Sequence, residues 1–74
     1  MNTTQRITKT ARRLSLTATQ ESGELVLRNG AGIAYASATI VGGKFYGAWT
    51  ADFMGHITSH STVKGMLTAL EAQA

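Results

Sequence analysis

Between residues 13 and 53 apolar and polar side chains alternate, and the alternation breaks at Asn29-Gly30 and Gly42-Gly43, dipeptides that supply the positive φ angles of tight hairpin turns. A chain so patterned is confined to antiparallel strands joined by short turns. Residues 13–19 read R-L-S-L-T-A-T and place Leu14, Leu16 and Ala18 on one face; after the polar break at 20–23, residues 24–28 place Leu25 and Leu27 together. Residues 33–41 and 44–53 supply the next two strands.

The turns predict registers. A two-residue turn at Asn29-Gly30 sets Leu27 opposite Gly32 and Leu25 opposite Ala34. One at Gly42-Gly43 sets Ile40 opposite Phe45, Ala38 opposite Gly47, Ala36 opposite Trp49 and Ala34 opposite Ala51. A four-residue loop over 20–23 brings Ala18 to Leu25 and Leu16 to Leu27. All three turns put the same residues on one face, the agreement between levels expected of a real sheet. The inner face is therefore expected to hold Leu14, Leu16, Leu25, Leu27, Ile40, Phe45, Trp49 and Phe53 around a small-residue centre of Ala34, Ala36, Ala38 and Gly47. Over residues 59–74, Val63, Met66, Leu67, Leu70 and Ala74 recur at spacings of three and four, the apolar stripe of a helix. Ser59 or Ser61 is placed to cap its start. The expected fold is α+β, a four-stranded antiparallel meander followed by one C-terminal helix packed on one face.

Seventy-four residues make one small domain, which buries only roughly 60% of the surface its unfolded chain exposes. With no cysteine there is no disulfide or thiolate metal site to reinforce it, and a homodimer is the remaining route to extra buried area. The net charge of +3 is unevenly spread, with Arg6, Lys9, Arg12 and Arg13 in an acid-free stretch. Beyond them Arg28, Lys44 and Lys64 are outnumbered by Glu21, Glu24, Asp52 and Glu71. After Met1, only Ile7 and Ala11 are apolar in the first eleven residues, which reads as a frayed end. The chain is accordingly divided into a flexible basic arm, 1–12, and a single domain, 13–74. No apolar run approaches the roughly 20 residues of a membrane span, and the N-terminus lacks the apolar core of a signal peptide. A soluble, cytoplasmic protein with no membrane partner is expected.

Catalytic chemistry is sparse. His56 and His60 are four apart, but no cysteine or acidic residue completes a metal shell around them, so no metal site and no cofactor are assigned. Asp52 with either histidine and a serine forms a nucleophilic triad only on paper, because such residues near a helix start ordinarily serve caps and turns. The glycine pairs sit in hairpin turns, not between a strand and a helix where a phosphate would be held. The expectation is a non-enzymatic binding module.

Three surfaces are candidates for binding. The sheet face opposite the core carries Tyr35, Tyr46, Thr39 and Lys44, and tyrosines suit protein docking. The second is the basic arm, with Arg6, Lys9, Arg12 and Arg13 against phosphates and the tyrosines as stacking platforms, which is the alternative reading as a single-stranded DNA- or RNA-binding protein. The third is the outer helix face with Gly65, Ala69 and Ala72, where a glycine costing about 1 kcal/mol in a helix interior suggests close approach of another backbone in self-association.

In topology the meander with its following helix is similar to the homodimeric single-strand-binding coactivator domains and the arm-binding domains of phage integrases. In size, composition and strand-then-helix layout the whole chain resembles the small accessory proteins of phages and mobile elements, and among these the anti-CRISPR class. That resemblance implies an inhibitor that docks on a host nucleoprotein defence complex, with the basic residues near its nucleic acid.

Overall fold

In a computed structural model, residues 2–72 form, in order, α1 (Thr3–Arg13), β1 (Thr17–Glu21), β2 (Glu24–Arg28), β3 (Ala34–Val41), β4 (Lys44–Ala51), β5 (Ile57–His60) and α2 (Val63–Glu71). The strands make one open antiparallel sheet in sequence order, and their inward residues join both helices in a single core. The α+β meander is as expected, but it has five strands and two helices. Ala74, expected in the helix stripe, lies outside the described residues.

The extra helix is α1, where a frayed arm was expected. Asn2 accepts from the Gln5 amide at 2.8 Å while Gln5 Oε1 accepts from the Asn2 amide at 3.1 Å, a reciprocal cap that satisfies two orphan donors. Ile7, Thr10, Ala11 and Leu14 follow at helical spacing, and Ile7 and Ala11 are completely enclosed. Few apolar residues suffice because the sheet and α2 supply the other side of the contact. The helix ends at Ser15, with φ +62°: the Leu16 amide donates to the Ala11 carbonyl at 2.8 Å and the Ser15 amide to the Arg12 carbonyl at 3.1 Å. That is a left-handed cap of the kind glycine usually makes.

The extra strand is β5, where the start of the C-terminal helix was expected. Asp52 Oδ1 accepts from the amides of Met54 and His56 at 2.8 and 2.9 Å, and its own amide donates to the His56 carbonyl at 2.9 Å, so the chain reverses over 52–56. The helix begins only at Val63, capped by Thr62, whose hydroxyl accepts from the Gly65 amide at 3.0 Å. Neither Ser59 nor Ser61 fills that role. Val63, Met66, Leu67 and Leu70 do face the core, against the small surface of Ala36 and Ala38.

The registers depart from expectation at three turns. Ser22 and Gly23, both at positive φ, close a two-residue turn, so Ala18 meets Leu27 and not Leu25. At the next connection Asn29 Oδ1 accepts from the amides of Ala31 and Ile33, stretching the turn to five residues, and Leu25 meets Ala38 and Leu27 meets Ala36. Those slips are of two and four positions, so Ala18, Leu25, Leu27, Ala36 and Ala38 keep the inner face. A one-residue shift between Leu27 and Arg28, however, sets Ala34, expected inside, opposite Arg28 on the outer row. The third is different. Ile40 faces Phe45 as expected, but an extra residue in β4 then puts Ala38 opposite Ala48 and Ala36 opposite Thr50. Gly47, at φ +140°, sits in this bulge. The odd step sends Trp49 to the outer face, opposite Ser37, and Thr50 takes its place inside. Phe53, also expected inside, lies in the turn after β4 and is exposed.

Candidate docking surface

Both helices pack on the inner face, leaving the outer face of the sheet uncovered by any described element. Its central row, from the pairings, is Val26, Ser37, Trp49 and Ser59. Val26 and Ser37 are nonetheless buried, because neighbours on the same face close over them. The Glu21 and Arg28 side chains form an ion pair that reaches across the Thr19–Val26 pair, and the Ser37 hydroxyl donates to Glu24 Oε1 at 2.8 Å. Trp49, opposite Ser37, is half-buried. The Ser37 hydroxyl is thereby committed within the row, while Trp49 stays partly exposed.

From Trp49 the apolar surface continues both ways along β4. Toward the β3–β4 turn, Tyr46 is 62% exposed and Lys44 Nζ lies 5.5 Å from the centre of its ring, a cation over an aromatic face. Thr39 and Val41 are exposed beside them, and Thr39 faces the bare Gly47. Toward the other end, Ile57 on β5 is 66% exposed and the adjoining turn presents Phe53 at 85% and Met54 at 70%. Apolar side chains this open make the outer face and its adjoining turn a candidate contact surface, whereas scattered ones would not.

The band borders an unpaired edge. β5 ends the sheet, and it carries no charged residue and no proline, the usual devices that protect an edge from pairing. Because Asp52 and His56 form a hydrogen-bonded pair, the alternation of antiparallel ladders turns the backbone amides and carbonyls of Ile57 and Ser59 away from β4.

Of the residues expected in partner binding, Tyr46, Thr39 and Lys44 are brought together on the open face. Tyr35 is not. Leu27 pairs with Ala36 and Arg28 with Ala34, so Tyr35 is the extra residue of a bulge, and it borders a cleft of about 370 Å³ with Leu14, Leu16, Phe53 and Leu70. This cleft lies at the helix side of the sheet, and Arg13, ion-paired with Glu71, stands at it. Arg6, Lys9 and Arg12 are exposed on α1, so three of the four basic residues stay available while Arg13 is tied down.

The self-association set divides. A side chain on Gly65 would meet Thr62 Oγ1 at 3.1 Å and His60 Nδ1 at 3.6 Å, so this glycine turns toward its own chain and not outward. Ala69 is half-buried and Ala72 exposed. The histidines also part. His56 Nδ1 lies 3.4 Å from Asp52 Oδ2 in the exposed turn, whereas His60 Nε2 bonds Thr50 Oγ1 at 2.8 Å beside α2. The Asp52 carboxyl is held below its ordinary range of about 3.8, first by the backbone hydrogen bond from His56, with the Met54 amide and the nearby imidazole acting in the same direction. Among the described residues no three His, Cys, Asp or Glu side chains form a group that could hold a metal ion.

Sequence reasoning missed Trp49, Phe53, Met54 and Ile57 as surface residues. The available signal was the D-F-M-G-H run, where two large apolar residues abut a glycine and the strand alternation stops. Among the described residues no helix is long and apolar enough to cross a membrane. Compared with protein-family models, curated proteins and solved structures, the chain matches none.

Proposed function

We propose that this chain is a non-catalytic protein-docking module that seats the uncovered face of its sheet, and the free edge of β5, on a larger partner. One observation carries the reading: Tyr46, Trp49 and Ile57 form an apolar band on the face that neither helix covers. Aromatic residues of this kind supply most of the energy at protein interfaces when a partner excludes water from them. The edge adds directionality, because an extended segment of the partner laid along β5 would pair with the outward amides and carbonyls of Ile57 and Ser59. The size and layout that resemble the anti-CRISPR class make a host nucleoprotein defence complex the first partner to try, with the chain acting as its inhibitor.

The test is a capture experiment from a bacterial lysate with immobilised protein, with and without nuclease. Tyr46→Ser/Ile57→Thr alters two side chains that are already mostly exposed, so stability should change by no more than about 0.5 kcal/mol per site. The expected result is a protein retained after nuclease treatment by the parent chain and lost with the double variant. Retention by both would remove the band as the docking surface.

A further inference from the structure

Helix α1 carries a chemistry that the apolar band does not use. Arg6, Lys9 and Arg12 recur every third residue, Lys9 and Arg12 on the side away from Ile7, Thr10 and Ala11 and Arg6 on its flank; all three are exposed, and no ion pair to them is found among the described residues. The first acidic residue of the chain is Glu21, so the whole helix is free of negative charge. Thr4, Gln5 and Thr8 lie with Lys9 and Arg12 around a shallow depression on this same side, interleaving hydroxyl and amide groups with the cations. Because the opposite side is locked into the core, the charges are carried on a fixed helix.

We propose that this face of α1 grips the phosphodiester backbone of a nucleic acid without reading its sequence. Three arguments favour that occupant. Charge is complementary along the whole face, and guanidinium forks with neighbouring hydroxyls match phosphate oxygens. No aromatic residue stands on α1 to stack on a base, so the face offers cations and hydroxyls in place of a stacking platform. A membrane surface fits less well, since an amphipathic helix that lies on lipid needs its apolar side free and α1 has buried it. An acidic protein would have to present carboxylates at matching spacing, whereas a phosphodiester chain offers charge at every step. The inference stands apart from the docking reading, since it uses none of the same residues.

Fluorescence anisotropy with a labelled mixed-sequence duplex and with its single strand, from about 50 to about 200 mM salt, tests it. Three cations predict a slope of log affinity against log salt of about −2.7 on the duplex and about −2 on the single strand, with little preference between sequences. Arg6→Gln/Lys9→Gln/Arg12→Gln keeps good helix formers and should abolish the salt-dependent binding. Arg6→Lys/Arg12→Lys should keep the slope, and Lys64→Gln on α2 should change nothing. Undiminished binding by the triple glutamine variant, or an affinity indifferent to salt, overturns the proposal. So does equally tight, variant-sensitive binding of polyglutamate or of anionic phospholipid vesicles, which would make an acidic protein or a membrane the occupant. If circular dichroism shows the triple variant unfolded, the lysine variant decides: loss of its salt slope overturns the proposal and retention supports it.

Discussion

Trp49 stands directly opposite Ser37 on the open face of the sheet, one residue out of step with the simple hairpin that would have placed it opposite Ala36 inside. The step is made in the bulge that contains Gly47, whose φ of +140° is a conformation side chains rarely adopt. A Cβ there would meet only the His60 carbonyl at 3.6 Å, an ordinary contact, so the obstacle to substitution is the backbone itself. Gly47→Ala is expected to cost about 1–3 kcal/mol in chemical denaturation. A cost near zero would mean that the bulge does not depend on glycine.

The docking of α1 makes a separate prediction. Ile7 is fully enclosed between the sheet and the helices, so Ile7→Ala should destabilise the chain by about 2–5 kcal/mol. Amide hydrogen exchange supplies the second reading: the α1 amides should be protected in the parent chain and should exchange early in the variant. A freely mobile arm would show neither effect.

Acid should loosen the turn between β4 and β5. The Asp52 carboxyl titrates below its ordinary value in the folded chain, chiefly because the His56 amide donates to the carboxylate. A depressed folded value means that the stabilisation is present above the ordinary carboxylate value of about 3.8 and is lost as pH falls through the depressed one. Side-chain NMR titration should find Asp52 below 3.8, and the stability difference between parent and Asp52→Ala should be greatest near neutrality and shrink in acid. A normal or raised value for Asp52 would contradict the geometry of this turn.

Gly65 and Thr62 should behave as a coupled pair. Alanine for glycine in a helix interior normally stabilises by about 1 kcal/mol. At Gly65 the new methyl would lie 3.1 Å from Thr62 Oγ1, which caps the helix, so the gain should be offset by disturbance of a cap worth about 1 kcal/mol. Gly65→Ala alone is therefore expected to change little, while the same substitution in a Thr62→Ala background should stabilise. A double-mutant cycle in urea measures the coupling, and additive effects would exclude it.

The two-residue period determined that the middle of this chain is an antiparallel meander, and it put Leu25, Leu27, Ala36, Ala38, Ile40 and Phe45 on the helix side. Those assignments survive wrong turn lengths because slips of two or four residues preserve the face. The spacing of Val63, Met66, Leu67 and Leu70 likewise determined α2, because a stripe of large apolar residues every three or four positions has no other stable use. On the open face Tyr46, Thr39 and Lys44 were legible for the same reason.

Tertiary structure decided the rest. A bulge is a one-residue event whose position depends on cross-strand packing, and it alone moved Trp49 outward and gave the candidate surface its central aromatic. Tyr35 was displaced to the cleft by another. The turn at 52–56 was set by the Asp52 carboxylate reaching two amides, which released Phe53 and Met54 to solvent and made Ile57 part of an edge strand. Helix α1 was decided last, since Ile7 and Ala11 are too little apolar surface to order a helix alone and become sufficient only against the sheet and α2. Local alternation acts between neighbours in sequence; bulges, edges and docked helices depend on surfaces that exist only once distant segments have met.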